Sequence, residues 1–132
     1  MKIVRNIILA LAVLTATPTL ADEVRRETIH FAAGSSGSTI DGTVKGYQSV
    51  QYALGLIAGQ KLSIQLDPSN SSLYFNVTAP GADAAMYNSS INGNSTSVTI
   101  PSSGNYVIDV YLMRNAARRG DTANYTLTLY AE

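Results

Sequence analysis

Three arginine side chains lie within six residues of one another near the end of the chain, at Arg114, Arg118 and Arg119, with no acidic residue between them. A guanidinium group offers a planar fork of hydrogen-bond donors that matches a carboxylate. In a turn of helix, Arg114 and Arg118 would share a face, and the side chain of Asn115 could fix the turn by bonding to its backbone. On composition alone the segment indicates a solvated loop between two strands, because charge runs are usually solvated faces. The alternative is a site for acidic groups.

Residues that could support catalysis are scarce. His30 is the only histidine, and its alternation with Ile29 and Phe31 predicts a position facing solvent or at a sheet rim. The serines in turns lack the Gly-x-Ser-x-Gly pattern of a nucleophile, and the acidic residues lack the spacing of a calcium loop. The turn at Gly34–Gly37 lacks the lysine of a phosphate loop, and there is no cysteine. We therefore expect no enzyme activity, no catalytic residue, no metal and no cofactor.

The arginines follow the clearest strand pattern in the chain. Tyr106, Ile108, Val110 and Leu112 alternate, so they share one face of a half-buried strand. Further strand patterns cover residues 26–33, 39–45, 50–56, 62–67, 73–77, 84–87 and 125–130. Without helical periodicity beyond the first 21 residues, they predict an all-β single domain, an antiparallel β-sandwich of about eight short strands. The predicted core contains Leu62, Ile64, Leu66, Phe75, Ile108, Val110, Leu127 and Leu129.

Residues 1–21 are typical of a secretory signal peptide. A basic start at Lys2 and Arg5 precedes an apolar stretch, and Ala21 lies directly before the charged Asp22. The apolar stretch is too short to cross a bilayer of ~30 Å. We therefore predict export to the periplasm, no insertion into the membrane, and a mature β-sandwich domain formed by residues 22–132.

The charge of the predicted mature domain limits its partners. The whole chain carries nine basic and nine acidic residues. Without Lys2 and Arg5, seven basic and nine acidic residues remain, which is a net charge of −2. A general affinity for nucleic acid or anionic membranes is therefore not expected, and the basic cluster at the arginines is a local feature.

Four short patterns resemble the periplasmic inhibitors of goose-type lysozyme, bacterial proteins that block a host muramidase. The patterns are Lys45-Gly46-Tyr47, Ala58-Gly59-Gln60, Pro101-x-Ser103-Gly104-x-Tyr106 and Arg114-Asn115-x-Ala117-Arg118. The resemblance covers roughly residues 40 to 130, and its specific part is Ser-Gly-x-Tyr followed by the arginine turn. Residues 69–97 match no part of the pattern.

The resemblance implies a β-sandwich whose loops enter the acidic substrate cleft of a goose-type lysozyme. It also implies a protein partner and a set of binding residues. The lysozyme-binding residues predicted in this way are Arg114, Asn115, Arg118, Arg119, Tyr47, Ser103 and Gly104. In this hypothesis the arginines pair with carboxylates in the cleft, and the strands on both sides anchor the turn.

A second resemblance gives an alternative function. The Tyr-x-Leu strand, the Ala-Gly-Gln turn, the Pro-Gly turn and Ser-Gly-x-Tyr are similar to the small β-sandwich appended to secreted bacterial proteases, the pre-peptidase C-terminal domain. That resemblance implies binding of a carbohydrate or another polymer, with Tyr47, Tyr74 or Tyr111 as a stacking platform. The run from Arg114 to Arg119 favours the inhibitor, because the appended domain does not require it.

The signal peptide gives a direct prediction about location. If residues 1–21 are removed on export, osmotic shock of the producing bacterium should release a soluble protein whose first residue is Asp22. Amino-terminal sequencing of the released fraction checks this expectation. Recovery of the protein only with the membranes, or with Met1 still present, would contradict it.

Overall fold

The computed structural model describes residues 23–31 and 36–132 of the chain. These residues form nine strands and two short helices, with the bounds β1 Val24–Ile29, β2 Gly37–Lys45, β3 Ser49–Leu56, β4 Lys61–Pro68, β5 Leu73–Thr78, β6 Tyr87–Asn88, α1 Ser89–Asn92, β7 Ser95–Thr99, β8 Gly104–Leu112, α2 Arg114–Arg118 and β9 Thr122–Ala131. The strands form two sheets. The first has the order β1-β3-β8-β5-β6, and the second has the order β2-β9-β4-β7.

One hydrophobic core lies between the two sheets, and the alternation of the strands produces it. Along β8, Tyr106, Ile108 and Val110 are completely buried, whereas Val107 and Asp109 lie on the outer face. A period of two residues places every second side chain on the same face of a strand. All eight core residues predicted from the sequence belong to this core, which confirms that prediction.

The prediction of an all-β sandwich in one domain, with mostly antiparallel sheets of about eight short strands, is confirmed, and the described residues contain nine strands. One pairing is parallel, because β1 pairs with β3 from Val24↔Ser49 to Ile29↔Leu54. The predicted strand at 84–87 is only the two-residue β6. The predicted signal peptide lies outside the described residues.

The two short helices interrupt the strands without adding a layer. Both have five residues or fewer, so neither could appear as a helical period in the sequence. No helix in the described part of the chain is long and apolar enough to cross a membrane. His30 is exposed, as its position in the pattern predicts.

A pair of buried tyrosines joins the two sheets inside the core. The hydroxyl oxygens of Tyr52 on β3 and Tyr125 on β9 lie 2.6 Å apart, so one hydroxyl donates to the other. Burial raises the pKa of both phenols. The Tyr125 ring reaches this position because Gly42 faces it, and a Cβ at Gly42 would lie 2.4 Å from the ring. Each buried hydroxyl therefore has the partner that burial of a polar group requires.

Asp109, unlike the two tyrosines, has a buried polar atom without a hydrogen-bond partner in the described residues. It lies on the outer face of the first sheet, opposite Gln51 and Asn76 in the register of β8 with its neighbours. The buried atom is the carboxyl Oδ1. Burial raises the pKa of this carboxyl above its ordinary value, because the charged form loses hydration. The charged carboxylate therefore destabilises the fold.

The raised pKa of Asp109 predicts a pH-dependent gain in stability for Asp109→Asn. The native carboxyl has a higher pKa than the unfolded one, so its cost to stability is complete above the native pKa and disappears as the pH falls below the unfolded value. The variant should therefore be more stable than the parent at pH 7, and the difference should shrink on acidification. Urea unfolding of both proteins at pH 7 and pH 3 measures it. A gain that is equal at both pH values would exclude the charge as its cause.

Candidate functional site

The connection between β8 and β9 carries the arginines from one sheet to the other, since β8 lies in the first sheet and β9 in the second. The helix α2, Arg114–Arg118, occupies this connection. Ala116 and Ala117 point into the core and are 0% and 4% exposed. Alanine favours the helix and has no side chain beyond Cβ, so the helix can lie close to the core. Arg114 and Arg118 are therefore exposed to solvent on a helix whose opposite face packs on the core.

Local hydrogen bonds close both ends of α2. The Oδ1 atom of Asn115 accepts from the backbone nitrogen of Ala116 at 2.8 Å, so the predicted bond between this side chain and the turn is present. At the other end, Gly120 donates to the carbonyl of Ala117 and Asp121 donates to the carbonyl of Ala116. Gly120 has a φ of 74°. These are the two bonds of a Schellman motif, which uses a left-handed glycine to end a helix.

The turn between β2 and β3 packs against the end of α2. The backbone nitrogen of Gly46 donates to the carbonyl of Asp121 at 2.9 Å. A Cβ at Gly46 would lie 3.6 Å from the carbonyl oxygen of Ala117, and its φ of 59° is in the left-handed region that favours glycine. The turn places Tyr47, whose side chain is 45% exposed, beside the arginine helix. The structure thus brings two distant parts of the predicted site together.

A third loop, the turn Ser69–Ser72 between β4 and β5, contacts the residues that flank α2, Met113 and Asp121. The Oδ1 atom of Asn70 accepts from the backbone nitrogen of Ser72, which closes the turn. The carbonyl of Ser72 accepts from the backbone nitrogen of Met113 at 2.9 Å. The Nδ2 atom of Asn70 donates to the Asp121 carboxylate at 3.4 Å. Part of residues 69–97, the segment that matches no part of the inhibitor pattern, therefore borders the predicted site.

The three arginines differ in their partners. The Nη2 atom of Arg119 donates to Oδ2 of Asp121 at 2.9 Å, and this hydrogen bond is the main reason that the pKa of Asp121 is lowered. The side chains of Arg114 and Arg118 form no hydrogen bond or ion pair with any residue that the structure describes. Together with Tyr47 and the 39% exposed Met113, they form a surface of two free cations and two apolar side chains. We call α2, Met113, Tyr47 and the turn Ser69–Ser72 the arginine surface.

Two of the seven predicted lysozyme-binding residues, Ser103 and Gly104, lie apart from the other five. Gly104 begins β8, whereas the arginine surface follows Leu112 at the end of the same strand. Nine residues of strand separate the two ends by roughly 26 Å. The structure brings Arg114, Asn115, Arg118, Arg119 and Tyr47 to one end of the sandwich, and Ser103 and Gly104 to the opposite end.

The Ser-Gly-x-Tyr pattern has a structural explanation at that opposite end. The Oγ atom of Ser103 accepts from the backbone nitrogen of Ala58 at 2.9 Å, and the hydroxyl of buried Tyr106 donates to the carbonyl of Ser102 at 2.6 Å. Gly104 has a φ of 151°, and a Cβ there would lie 2.7 Å from Cγ of Pro80. The pattern therefore has a structural role: Ser103 links its turn to the turn at Ala58, and Tyr106 fills the end of the core.

Sequence reasoning missed three residues that form or support the arginine surface: Met113, Asn70 and Asp121. Met113 could have been found, because the alternation of β8 places it outward with Asp109 and Tyr111. Asn70 and Asp121 gave no local signal. Their importance comes from the 3.4 Å contact between two loops that are far apart in sequence.

The chemistry available on the arginine surface is recognition rather than catalysis. Its free polar groups are guanidinium donors, which suit carboxylates, and Met113 and Tyr47 offer apolar contacts beside them. No group of three or more histidine, cysteine or acidic side chains that could hold a metal occurs in the described residues. An open depression of about 560 Å³ lies on the second sheet, is lined by Asp41, Asp67 and Ser69 among others, and therefore borders the turn Ser69–Ser72.

Comparison with known proteins gives a consistent set of relatives. The chain is 27% identical to the inhibitor of g-type lysozyme of Escherichia coli strain K12, over 97% of this chain and 96% of that protein. A crystal structure of Aeromonas hydrophila PliG, a periplasmic lysozyme inhibitor of g-type lysozyme, matches with a TM-score of 0.78 and 31% identity, covering 85% of this chain and 100% of the other. Salmonella Typhimurium PliG, described in the same words, matches with a TM-score of 0.65 and 26% identity, covering 82% and 98%. No protein-family model matches the chain.

A more distant likeness concerns the alternative function. The pre-peptidase C-terminal domain of a collagenase from Bacillus anthracis matches with a TM-score of 0.54 and 15% identity, covering 87% of this chain and 100% of that domain. At this identity the likeness shows a common fold only. The polymer-binding alternative therefore gains no support beyond the shape of the sandwich.

The burial of Ala116 predicts that its enlargement disturbs the helix that carries the arginines. Ala116→Leu adds a branched side chain at a fully buried position, and overpacking of this kind typically costs ~1–3 kcal/mol. We expect the midpoint of urea unfolding to fall accordingly. Ala82→Leu, at an exposed position, is the matched control and should have little effect. Equal stability of Ala116→Leu and the parent would show that α2 is not packed as described.

Proposed function

Because this chain belongs to the family of periplasmic inhibitors of g-type lysozyme, we propose that it inhibits a goose-type lysozyme by presenting the arginine surface to the acidic substrate cleft of the enzyme. Its relatives are inhibitors and not enzymes. The partner is accordingly a g-type lysozyme, and the place of action is the periplasm. The observation that carries the mechanism is the pair of guanidinium groups, without partners in the part of the chain that the structure describes, on a helix fixed at both ends.

The chemistry of the target explains why free arginines suit it. Glycoside hydrolases generally act through carboxyl groups that flank the glycosidic bond, inside a cleft shaped for a sugar chain. Such a cleft concentrates negative potential. Arg114 and Arg118 can each donate two parallel hydrogen bonds to a carboxylate. Occupation of the cleft by these side chains would exclude the glycan and block the enzyme.

The rigidity of α2 supports tight binding. Ala116 and Ala117 hold the helix against the core, and the Schellman motif at Gly120 fixes its end. A side chain on a fixed backbone loses less freedom on binding than one on a mobile loop. The free energy of the new hydrogen bonds is therefore not consumed in ordering the loop.

The apolar part of the arginine surface supplies the remaining contacts. Tyrosine and arginine are among the residues that most often dominate the binding energy of interfaces, and both occur here. Tyr47 and Met113 are large, exposed and adjacent to the helix. A stable interface also needs about 800 Å² from each partner, which a helix of five residues cannot provide. We therefore assign the turn Ser69–Ser72 to the interface as the second contact loop.

The arginine pair gives the central prediction. Arg114→Ala and Arg118→Ala should each weaken inhibition by ~2–5 kcal/mol, the usual cost of leaving a buried interfacial charge without its partner. This corresponds to roughly a 30-fold to more than 1,000-fold increase in the inhibition constant. A lysis assay with a purified goose-type lysozyme measures it, and a chicken-type lysozyme tests selectivity.

Two variants serve as controls for the arginine pair. Lys61→Ala removes an exposed charge at the start of β4, and Ser103→Ala removes a hydroxyl at the opposite end of the sandwich. Each should inhibit as well as the parent, and thermal unfolding should show that all variants are folded. If folded Arg114→Ala and Arg118→Ala also inhibit like the parent, α2 is a solvated loop and the proposed mechanism is wrong.

A further inference from the structure

Three loops of the arginine surface meet at a single residue, Asp121. Its carboxylate Oδ2 accepts from Nη2 of Arg119 at 2.9 Å and from Nδ2 of Asn70 at 3.4 Å. Its carbonyl accepts from the backbone nitrogen of Gly46 at 2.9 Å, and its own nitrogen donates to the carbonyl of Ala116 at 3.1 Å. The β2–β3 turn, the β4–β5 turn and α2 are therefore each bonded to this residue.

We infer that Asp121 and Arg119 are positioning residues, which hold the three loops in the arrangement that binds lysozyme, and that Arg119 does not itself contact the enzyme. This inference rests on the proposed function. It separates Arg119 from Arg114 and Arg118, although the three arginines look equivalent in the sequence. The reason is that the Arg119 guanidinium is already bonded to Asp121 within the protein.

The position of the ion pair favours a role in arrangement over a role in global stability. The Arg119 side chain is 59% exposed and that of Asp121 is 27% exposed. Pairs of this kind add little to the stability of a fold, and the backbone bonds of Asp121 remain when its side chain is removed. What the carboxylate adds is a link from the end of α2 to Asn70, which no other side-chain hydrogen bond among the described residues supplies. Its loss should therefore loosen the loops without unfolding the sandwich.

Loosening of the loops has a kinetic signature. If only a fraction of the free molecules holds the binding arrangement, the apparent affinity falls by that fraction. The loss appears in the association rate, because the complex, once formed, contains the same contacts with the enzyme. Removal of a contact residue acts mainly on the dissociation rate instead.

The sign of the charge change separates this inference from simple electrostatic steering. Asp121→Ala removes a negative charge and makes the arginine surface more positive. Steering towards an acidic cleft would then accelerate association, whereas loss of the preformed arrangement would slow it. The two explanations therefore predict opposite changes in one measured rate.

The experiment compares Asp121→Ala with the matched control Asp83→Ala, which removes the same charge from an exposed position in the turn that follows Pro80. Association and dissociation with goose-type lysozyme are measured by stopped flow or by binding to immobilised enzyme at 150 mM salt. We expect Asp121→Ala to associate roughly fivefold more slowly with an unchanged dissociation rate. Asp83→Ala should associate at the parental rate or slightly faster.

Arg119 is tested by rescue. Arg119→Ala should slow association to a similar extent, while Arg119→Lys, which retains a cation able to reach Asp121, should restore most of the parental rate. Asp121→Ala combined with Arg119→Ala should be no slower than Asp121→Ala alone, because Arg119 acts only through the Asp121 carboxylate. An increase in dissociation rate for Arg119→Ala would show that Arg119 contacts the enzyme and would overturn the assignment.

A measurement on the free protein keeps this inference independent of inhibition. Hydrogen exchange at the amides of Gly46 and Met113, which bond across loops, should be faster in Asp121→Ala than in the parent, while amides within β8 should be unchanged. Failure of the parent to inhibit lysozyme would overturn the proposed function alone. Unchanged exchange, or association of Asp121→Ala at the parental rate or faster, would overturn the positioning role.

Discussion

The crossover from one sheet to the other is the constraint on which the arginine surface depends. β8 lies between β3 and β5 in the first sheet, and β9 lies between β2 and β4 in the second. Neither strand can shift without breaking hydrogen bonds on both of its sides. The connection from Met113 to Asp121 must bridge two sheets that pack about 10 Å apart, and burial of Ala116 draws its middle towards the core. The arginines are therefore held by the core itself.

Local patterns predicted the fold well wherever one face of a strand is buried. β8 and β9 alternate over their whole length, and their inward side chains form the core. The parallel pairing of β1 with β3 left no such signal, because only Ile29 among the six residues of β1 is buried. Of the candidate site, the residue pattern indicated the arginines, and the family resemblance added Tyr47. Neither could indicate Asn70 or Asp121, since their roles arise from contacts between separate loops.

The placement of Ser103 and Gly104 shows how a sequence pattern can mix two kinds of constraint. Ser-Gly-x-Tyr and the arginine turn are close in sequence because β8 connects them, and that strand also keeps them apart in space. The first pattern satisfies steric and hydrogen-bond requirements, since Gly104 must pass close to Pro80. The second pattern, the arginine turn, places the side chains of Arg114 and Arg118, which have no partner among the described residues, on a helix packed against the core. Proximity along a strand is therefore poor evidence that two motifs share one site.

The local character of the charge explains how such a surface can be selective. The chain as a whole carries equal numbers of basic and acidic residues, so it has no broad positive field to attract anionic polymers. Arg114 and Arg118 act only over the Debye length of about 8 Å at physiological salt. A carboxylate must come within that distance, and Tyr47 and Met113 beside the cations must also find apolar partners. An acidic cleft with a shape that admits the helix meets both conditions, whereas a flexible anionic chain meets only the first.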